Sequence, residues 1–285
     1  MMSKKQKVWF ITGASRGIGL EIVKAVLDSG DIVVATVRNS VELLSDKLAN
    51  PKNLSVVVMD VTNEQQTLKA VNETIEKYGK IDILVNNAGY GLLAAVEESS
   101  TDEARKNFET NVFGLLNVTR AVLPYMRKER SGHVINISSI GGLSGFIGWG
   151  VYGATKFAVE GLTESLALEL APLGIKATVV APGFFRTDFL DNSSLIQSSN
   201  IIPDYDETVG EMRRIANHIN KKQPGDPVKL AKAIVLLGNA KEAPVHLPLG
   251  SDTLQMFKEK TANFERDIQA WKDVITSTDH EDINN

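Results

Sequence analysis

The sequence predicts an α/β protein built on a doubly wound parallel sheet with helices on both faces. Two observations carry this. Short runs rich in Val and Ile alternate repeatedly with longer amphipathic stretches, the order that βαβ units require. The runs are also apolar on successive residues, as in strands covered on both faces. Right-handed crossovers then wind the chain outward in both directions from the middle of the sheet.

Six runs read as strands: Val8–Thr12, Ile32–Val37, Leu54–Met59, Ile81–Val85, His133–Ser138 and Lys176–Ala181. Between them, Gly19–Ser29 places Ile22, Val23, Val26 and Leu27 on one side of a helix, and Asn63–Tyr78 places Leu68, Val71 and Ile75 on one stripe. A further helix begins near Thr101. Residues 184–227 break the rhythm with Asn192-Ser193-Ser194, Ser198-Ser199-Asn200 and Pro224-Gly225. This stretch is expected to hold one or two short helices and to serve as a lid or substrate loop. Residues 251–275 carry Leu254, Phe257, Thr261, Phe264, Ile268 and Trp271 at spacings of three and four, which predicts a C-terminal helix packed on the domain. Ser277 to Asn285 read as frayed. With no internal repeat and no low-complexity linker, residues 1–285 read as one catalytic domain.

Composition narrows the function. The 285 residues are 43% hydrophobic and 23% charged, with a net charge of -4. These are globular values, and they offer no field for nucleic acid or an anionic membrane. Cysteine is absent, which excludes disulfides and thiolate chemistry. His133, His218, His246 and His280 are scattered without ligand spacing, so no metal site is expected. The N-terminus has neither a signal-like apolar core nor any run of the ~20 residues a span needs, and the cytoplasm is the default compartment.

The first strand runs directly into Thr12-Gly13-Ala14-Ser15-Arg16-Gly17-Ile18-Gly19, which opens the first helix. Glycines there permit a tight turn and close backbone approach, and the helix N-terminus offers free N–H groups to a pyrophosphate. Placed between strand and helix, the turn predicts dinucleotide binding. At the end of the second strand an acid would hydrogen-bond the ribose 2′-OH of NAD. Here the strand ends Ala35-Thr36-Val37-Arg38, and Arg38 is suited to a 2′-phosphate instead. NADP(H) is therefore preferred, with NAD(H) the alternative.

Reducing a carbonyl needs a proton donor at oxygen while hydride reaches carbon. Of the five tyrosines only Tyr152 has a lysine four residues later, Lys156. That spacing puts both on one helix face, where an ammonium favours phenolate and lowers the tyrosine pKa. Ile135-Asn136-Ile137-Ser138-Ser139 is a strand ending in hydroxyls, where doubly wound sheets bind ligands.

The glycines fall as GxxxGxG. With the Tyr152–Lys156 pair, the sequence from about Lys7 to Gly250 resembles the short-chain dehydrogenase/reductase family in its single-domain, Rossmann-type form. The resemblance implies Ser139, 13 residues before Tyr152, as the hydroxyl that orients the substrate oxygen, and Ser138 as structural. It implies that Lys156 also holds the nicotinamide ribose and that Asn111 holds a water linking Lys156 to solvent. It assigns Arg16 to the 2′-phosphate region, Asp60-Val61 to the adenine, and Asn87, Ala88 and Gly89 to the cofactor-lining motif after the fourth strand. Pro182-Gly183 with Phe185 and Thr187 matches the segment facing the carboxamide. The C-terminal Leu247-Pro248-Leu249-Gly250-Ser251-Asp252 is similar to the 17β-hydroxysteroid-dehydrogenase-like branch, without implying a steroid.

Leu143, Phe146, Trp149, Phe184 and Phe189 are expected to wall the substrate pocket, with Ile147, Leu190, Leu195 and Ile196 nearby. Their composition favours an apolar or aromatic carbonyl compound. The alternatives are an NAD-linked alcohol dehydrogenase and, in another class, a non-catalytic NADP(H)-binding sensor. Homo-oligomer formation through the helices near 101–126 and 151–170 stays open.

Overall fold

The computed structural model describes residues 6–39 and 41–280. In chain order the strands are β1 Val8–Ile11, β2 Ile32–Val37, β3 Leu54–Val58, β4 Ile83–Asn86, β5 Gly91–Leu93, β6 Gly132–Ile137, β7 Ile175–Pro182, β8 Leu195–Gln197 and β9 His246–Leu249. The α-helices are α1 Gly17–Asp28, α2 Val41–Lys47, α3 Glu64–Tyr78, α4 Thr101–Phe108, α5 Gly114–Glu129, α6 Gly150–Leu170, α7 Glu211–Ile219, α8 Pro227–Asn239, α9 Ser251–Ala270 and α10 Lys272–Thr276.

Seven strands form one parallel sheet in the order β3-β2-β1-β4-β6-β7-β9. The doubly wound prediction holds. The order reverses between β1 and β4, which opens a crevice at their carboxyl ends. Alternate side chains supply two cores. Trp9 and Ile11 face Ile22, Val23 and Val26 of α1 with Ile234 of α8. Val8 and Phe10 face Val71 of α3 with Val118 and Val122 of α5. Each strand is thus apolar on successive residues because both of its faces are covered.

The six expected strands form, Ile32–Val37 with the expected ends and the others with ends shifted by at most two residues. The largest shift is at Ile81–Val85, where pairing starts at Ile83. The seventh, β9, was not anticipated. It is short and carries Pro248, which an edge strand tolerates because no ladder N–H is needed there. Residues 184–227 hold more than helix. Short 3₁₀ turns at Asp188–Leu190 and Pro203–Tyr205 precede α7, and β8 pairs in parallel with β5. Glu98 pins this stretch to the body. Its carboxylate accepts from Arg213 and from the backbone of Ile202 and Ala95.

The C-terminal helix forms but does not pack as expected. Thr253 is its one buried side chain, whereas Leu254 is 47%, Phe264 65% and Trp271 63% exposed. Phe257 borders a small cavity with Glu160 of α6 and His246 and Leu247 of β9, and beyond it the apolar stripe is exposed. Ser277–His280 is exposed, and 281–285 falls outside the described residues. Among the described residues no helix is long and apolar enough to cross a membrane.

Candidate active site

The glycine turn is built by close packing. Gly13 (φ +65°) and Gly17 (φ +55°) occupy the left-handed region, where a side chain would be strained. A Cβ on Gly13 would also lie 2.8 Å from the Ala88 backbone. Asn87 bolts the end of β4 to the turn, its Nδ2 donating to the carbonyls of Thr12 and Gly13 at 3.0 Å each. Thr12 Oγ1 accepts from the N–H groups of Asn87 and Ala88. Helix α1 then starts with no side-chain cap and no acid in its first turn, leaving its N–H groups and partial positive charge available to an anion.

Gly13, Ser15, Arg16, Gly17 and Ile18 border a cavity of about 620 Å³ that runs over the crevice. Arg38, Val61, Asn87, Ala88, Gly89, Pro182, Gly183, Phe185 and Thr187 also border it. Gly19 does not. A Cβ there would meet the Gly13 carbonyl at 2.3 Å, so its smallness serves the turn. Asp60 does not border the cavity either, because its carboxylate is turned to the N–H and hydroxyl of Thr62 at 2.9 and 2.8 Å. Arg16 departs from expectation as well. Its Nε donates to Ser194 Oγ at 2.9 Å and its Nη2 to the Ser193 carbonyl, tying the glycine turn to the 184–227 segment. Lys47 joins Arg16 and Arg38 at the cavity wall, and Asp188 is the one carboxylate among the described lining residues. The turn, the uncapped helix and the cationic wall fit a phosphorylated dinucleotide.

At the other end Ser139, Tyr152 and Lys156 come together. Ser139 follows β6 and accepts from Gly141 N–H at 3.1 Å. A Cβ on Gly141 would lie in ordinary contact with Ser139 Oγ at 3.6 Å and the Tyr152 ring at 3.7 Å. Tyr152, in the first turn of α6, is only 6% exposed. Its ring sits 5.6 Å from Trp149 and 5.7 Å from Phe189, centroid to centroid. Burial pushes the phenol up to about 12, with a hydrogen bond to Ser139 opposing the rise. Lys156 Nζ donates to the Ile137 carbonyl at 2.9 Å and lies 5.8 Å from the Tyr152 ring centroid. Burial lowers it to about 8, while Glu160 acts in the opposite sense. Any depression of the tyrosine by the ammonium is outweighed. Desolvation dominates, and the ammonium is directed at the β6 carbonyl rather than at the phenol.

Asn111 lies in a π-helical turn, Glu109–Phe113, between α4 and α5. Such insertions are frequent at functional sites. Both of its amide protons are used, on the Tyr90 carbonyl and Thr155 Oγ1 at 3.0 Å each, and its Oδ1 accepts from Tyr90 N–H. The side chain thus fixes the β4–β5 connection against α6, and any link to water through it is limited to accepting.

Phe146, Trp149, Phe184, Phe189 and Leu190 border the catalytic end of the cavity. Leu143 does not, because it faces a separate small cavity behind the sheet end. Of the nearby residues, Leu195 is buried against Leu93 and Ala216, and Ile147 points outward. Sequence reasoning missed Tyr90 and the α7 residues Met212, Ala216 and Ile219, which complete the wall. Their spacing of three and four was the available signal. It also missed Asp252, which accepts from Phe184 N–H at 2.7 Å. A Cβ on Gly183 would lie 2.1 Å from that carboxylate.

Relatives carry the same architecture. A crystal structure of a short-chain dehydrogenase from Streptomyces avermitilis is 40% identical and superposes with a TM-score of 0.89, over 98% of this chain and 100% of that one. The structure of ElxO with NADP bound is 32% identical with a TM-score of 0.74, covering 88% and 99%. The 3-ketodihydrosphingosine reductase of Bacteroides thetaiotaomicron is 38% identical over 244 residues, 86% of this chain and 88% of that protein. A family model described as short chain dehydrogenase matches residues 7–196. With glycine turn, Ser139, Tyr152 and Lys156 disposed around one crevice, and with this match over most of its length, the chain belongs to the short-chain dehydrogenase family of oxidoreductases.

Proposed function

We propose that the protein is an NADP(H)-dependent reductase of apolar or aromatic ketones or aldehydes. The observation that carries this is the convergence of Ser139, Tyr152 and Lys156 at the aromatic end of a cavity whose opposite wall is cationic. A nicotinamide bound there supplies hydride. Ser139 and Tyr152 hydrogen-bond the substrate oxygen, and Tyr152 passes its proton to that oxygen as charge develops. A phenol pushed up to about 12 stays protonated at neutral pH, the form that donates a proton in reduction. Lys156, charged below about 8, would stabilise the phenolate left behind and hold the ribose. Thr187, Phe185 and Gly183 would flank the nicotinamide, while Val61 lies along the wall expected for the adenine.

Arg38 and Lys47 support the choice of NADP(H), since cations and a near absence of carboxylates favour a 2′-phosphate. The ElxO structure with NADP bound supports it further, and the relative named as a reductase of a keto compound supports the reducing reaction. The test is consumption of NADPH and, separately, NADH against a panel of aromatic and aliphatic ketones and aldehydes. Turnover with NADPH is expected, with Arg38→Asp shifting preference toward NADH by tenfold or more. Turnover of the unaltered protein with NADH alone would contradict the cofactor reading.

A further inference from the structure

The apolar stripe of α9 is left over once the sheet layers are packed. Only its first turns meet the body, with Thr253 buried and Phe257 bordering the small cavity beside β9. Lys260 lies 4.6 Å from the Phe157 ring centroid on α6, and every described residue from Phe257 onward is exposed. The helical course continues through Trp271 into α10. Trp271 N–H donates to the Asp267 carbonyl and Ile275 N–H to the Trp271 carbonyl.

Along this run the stripe keeps a strict heptad. Leu254, Thr261, Ile268 and Ile275 take its a positions, and Phe257, Phe264 and Trp271 its d positions. A 3.5-residue repeat sustained over three heptads makes the seam of a coiled coil, narrower than the face of a helix packed on a sheet. Charges flank the seam, with Lys258, Glu265 and Lys272 at e and Lys260 and Asp267 at g. Among the described residues, Lys258, Glu265, Asp267 and Lys272 form no ion pair within the chain.

We propose that α9 is a self-complementary interface on which a second copy of this chain docks as an antiparallel two-helix coiled coil. Charge selects the occupant. One antiparallel register sets Leu254 against the partner's Trp271, Thr261 against the partner's Phe264 and Ile268 against the partner's Phe257. The same register brings Lys258 opposite the partner's Glu265 and Lys260 opposite the partner's Asp267, and the twofold repeats each pair. The charges thus match their own sequence read in reverse, a property that binding an unrelated protein would not require.

Size and direction agree. Leu254, Phe257, Phe264, Ile268, Trp271 and Ile275 are each 44% to 65% exposed. Taking about 150–250 Å² for each side chain, they offer several hundred Å², the order of the ~800 Å² per partner of a stable interface. Antiparallel docking puts the two sheet bodies at opposite ends of the helix pair, whereas parallel docking crowds both against residues 251–257. A lipid surface is the poorer occupant. Residues 251–276 carry five carboxylates against four cations, which is not the basic face that anionic lipid selects.

The test is sedimentation velocity of the full chain from low to high micromolar concentration. Association that doubles the mass is expected, from one copy to two, or from two to four where another face also pairs. Phe264→Glu, at a position open to solvent, abolishes that doubling with the fold intact by circular dichroism. Lys258→Glu sets like charges together twice per pair and weakens association about tenfold, and adding Glu265→Lys restores it. Melts of dilute, dissociated protein register none of these changes. Because cysteine is absent from the chain, single cysteines report the register. An equimolar mixture of Leu254→Cys and Trp271→Cys cross-links on oxidation. Neither variant does so alone, since the two copies of either position stand about 25 Å apart along the pair. Assembly unchanged in Phe264→Glu overturns the proposal, as does cross-linking of Leu254→Cys with itself, the mark of parallel docking. A chain that stays unassociated at every concentration also overturns it, and its co-sedimentation with phosphatidylcholine–phosphatidylglycerol vesicles would assign the stripe to a lipid surface instead.

Discussion

Tyr152 and Lys156 are pushed in opposite directions by the same cause. Both sit where water is excluded, and desolvation favours the neutral form of each, moving the phenol to about 12 and the ammonium to about 8. The phenol therefore holds its proton across the neutral range, and the titration that matters belongs to the lysine. Its ammonium is present below about 8 and lost above it, so reductive turnover is expected to fall as pH rises through that value. A rate-against-pH profile flat from 7 to 9 would contradict this. Removing the phenolic hydroxyl in Tyr152→Phe removes the donor itself. General acid catalysis of this kind contributes typically about 10²–10⁴-fold, and a loss in that range is expected with folding intact by circular dichroism.

At the scale of elements, the cofactor crevice is held by contacts between segments far apart in sequence. Asp252, at the start of α9, accepts from Phe184 N–H and from Thr253 N–H, fixing the turn after β7 that borders the cavity. Asp252→Ala loosens that turn. The Michaelis constant for NADPH is expected to rise about tenfold, with kcat less affected, as for loss of one charge-assisted hydrogen bond. An unchanged Michaelis constant would show that the turn holds itself. Much of the site was legible in the sequence because its parts are local. The glycine turn spans eight residues, and Tyr152 and Lys156 share one helical turn. The contacts that were missed join residues 178 apart (Arg16 and Ser194), 68 apart (Phe184 and Asp252) and 86 apart (Glu160 and His246). Periodicity and motif spacing carry no information on such pairings, which depend on the finished topology. Leu143 illustrates the same limit: its neighbours Phe146 and Trp149 reach the cavity, but the turn after β6 aims it to the other side.

The whole molecule divides into a well-packed sheet layer and an extended C-terminal helix. Most of the stripe that the sequence offered as a packing face is exposed, with Leu254, Phe264 and Trp271 open to solvent, so hydrophobic spacing foretold the helix and not its environment. A chain ending at Thr261 is expected to change stability by no more than about 1 kcal/mol in thermal melts, as for exposed residues elsewhere. Acid acts on the packed part. His133 is buried and neutral, with Nε2 on Thr178 Oγ1 at 2.9 Å, and burial aided by Lys176 and Lys7 lowers it to about 3. The unfolded chain takes up this proton near 6.5 and the folded one does not. Stability is thus expected to be full above 6.5 and to fall toward pH 3 by up to about 1.4 kcal/mol per unit. Urea melts at pH 7.5 and 5.5 should show the loss, and His133→Gln should flatten it.

The measurement that tests the central claim most directly is NADPH-dependent carbonyl reduction by the unaltered protein and Tyr152→Phe side by side, with NADPH binding followed by fluorescence in both. A reductase that uses Tyr152 as its proton donor requires turnover in the first, loss of at least a hundredfold in the second, and retained binding in each. Equal turnover in the two would remove Tyr152 from the chemistry, and tight binding with no turnover in either across the panel would favour a nucleotide-binding sensor on the same fold.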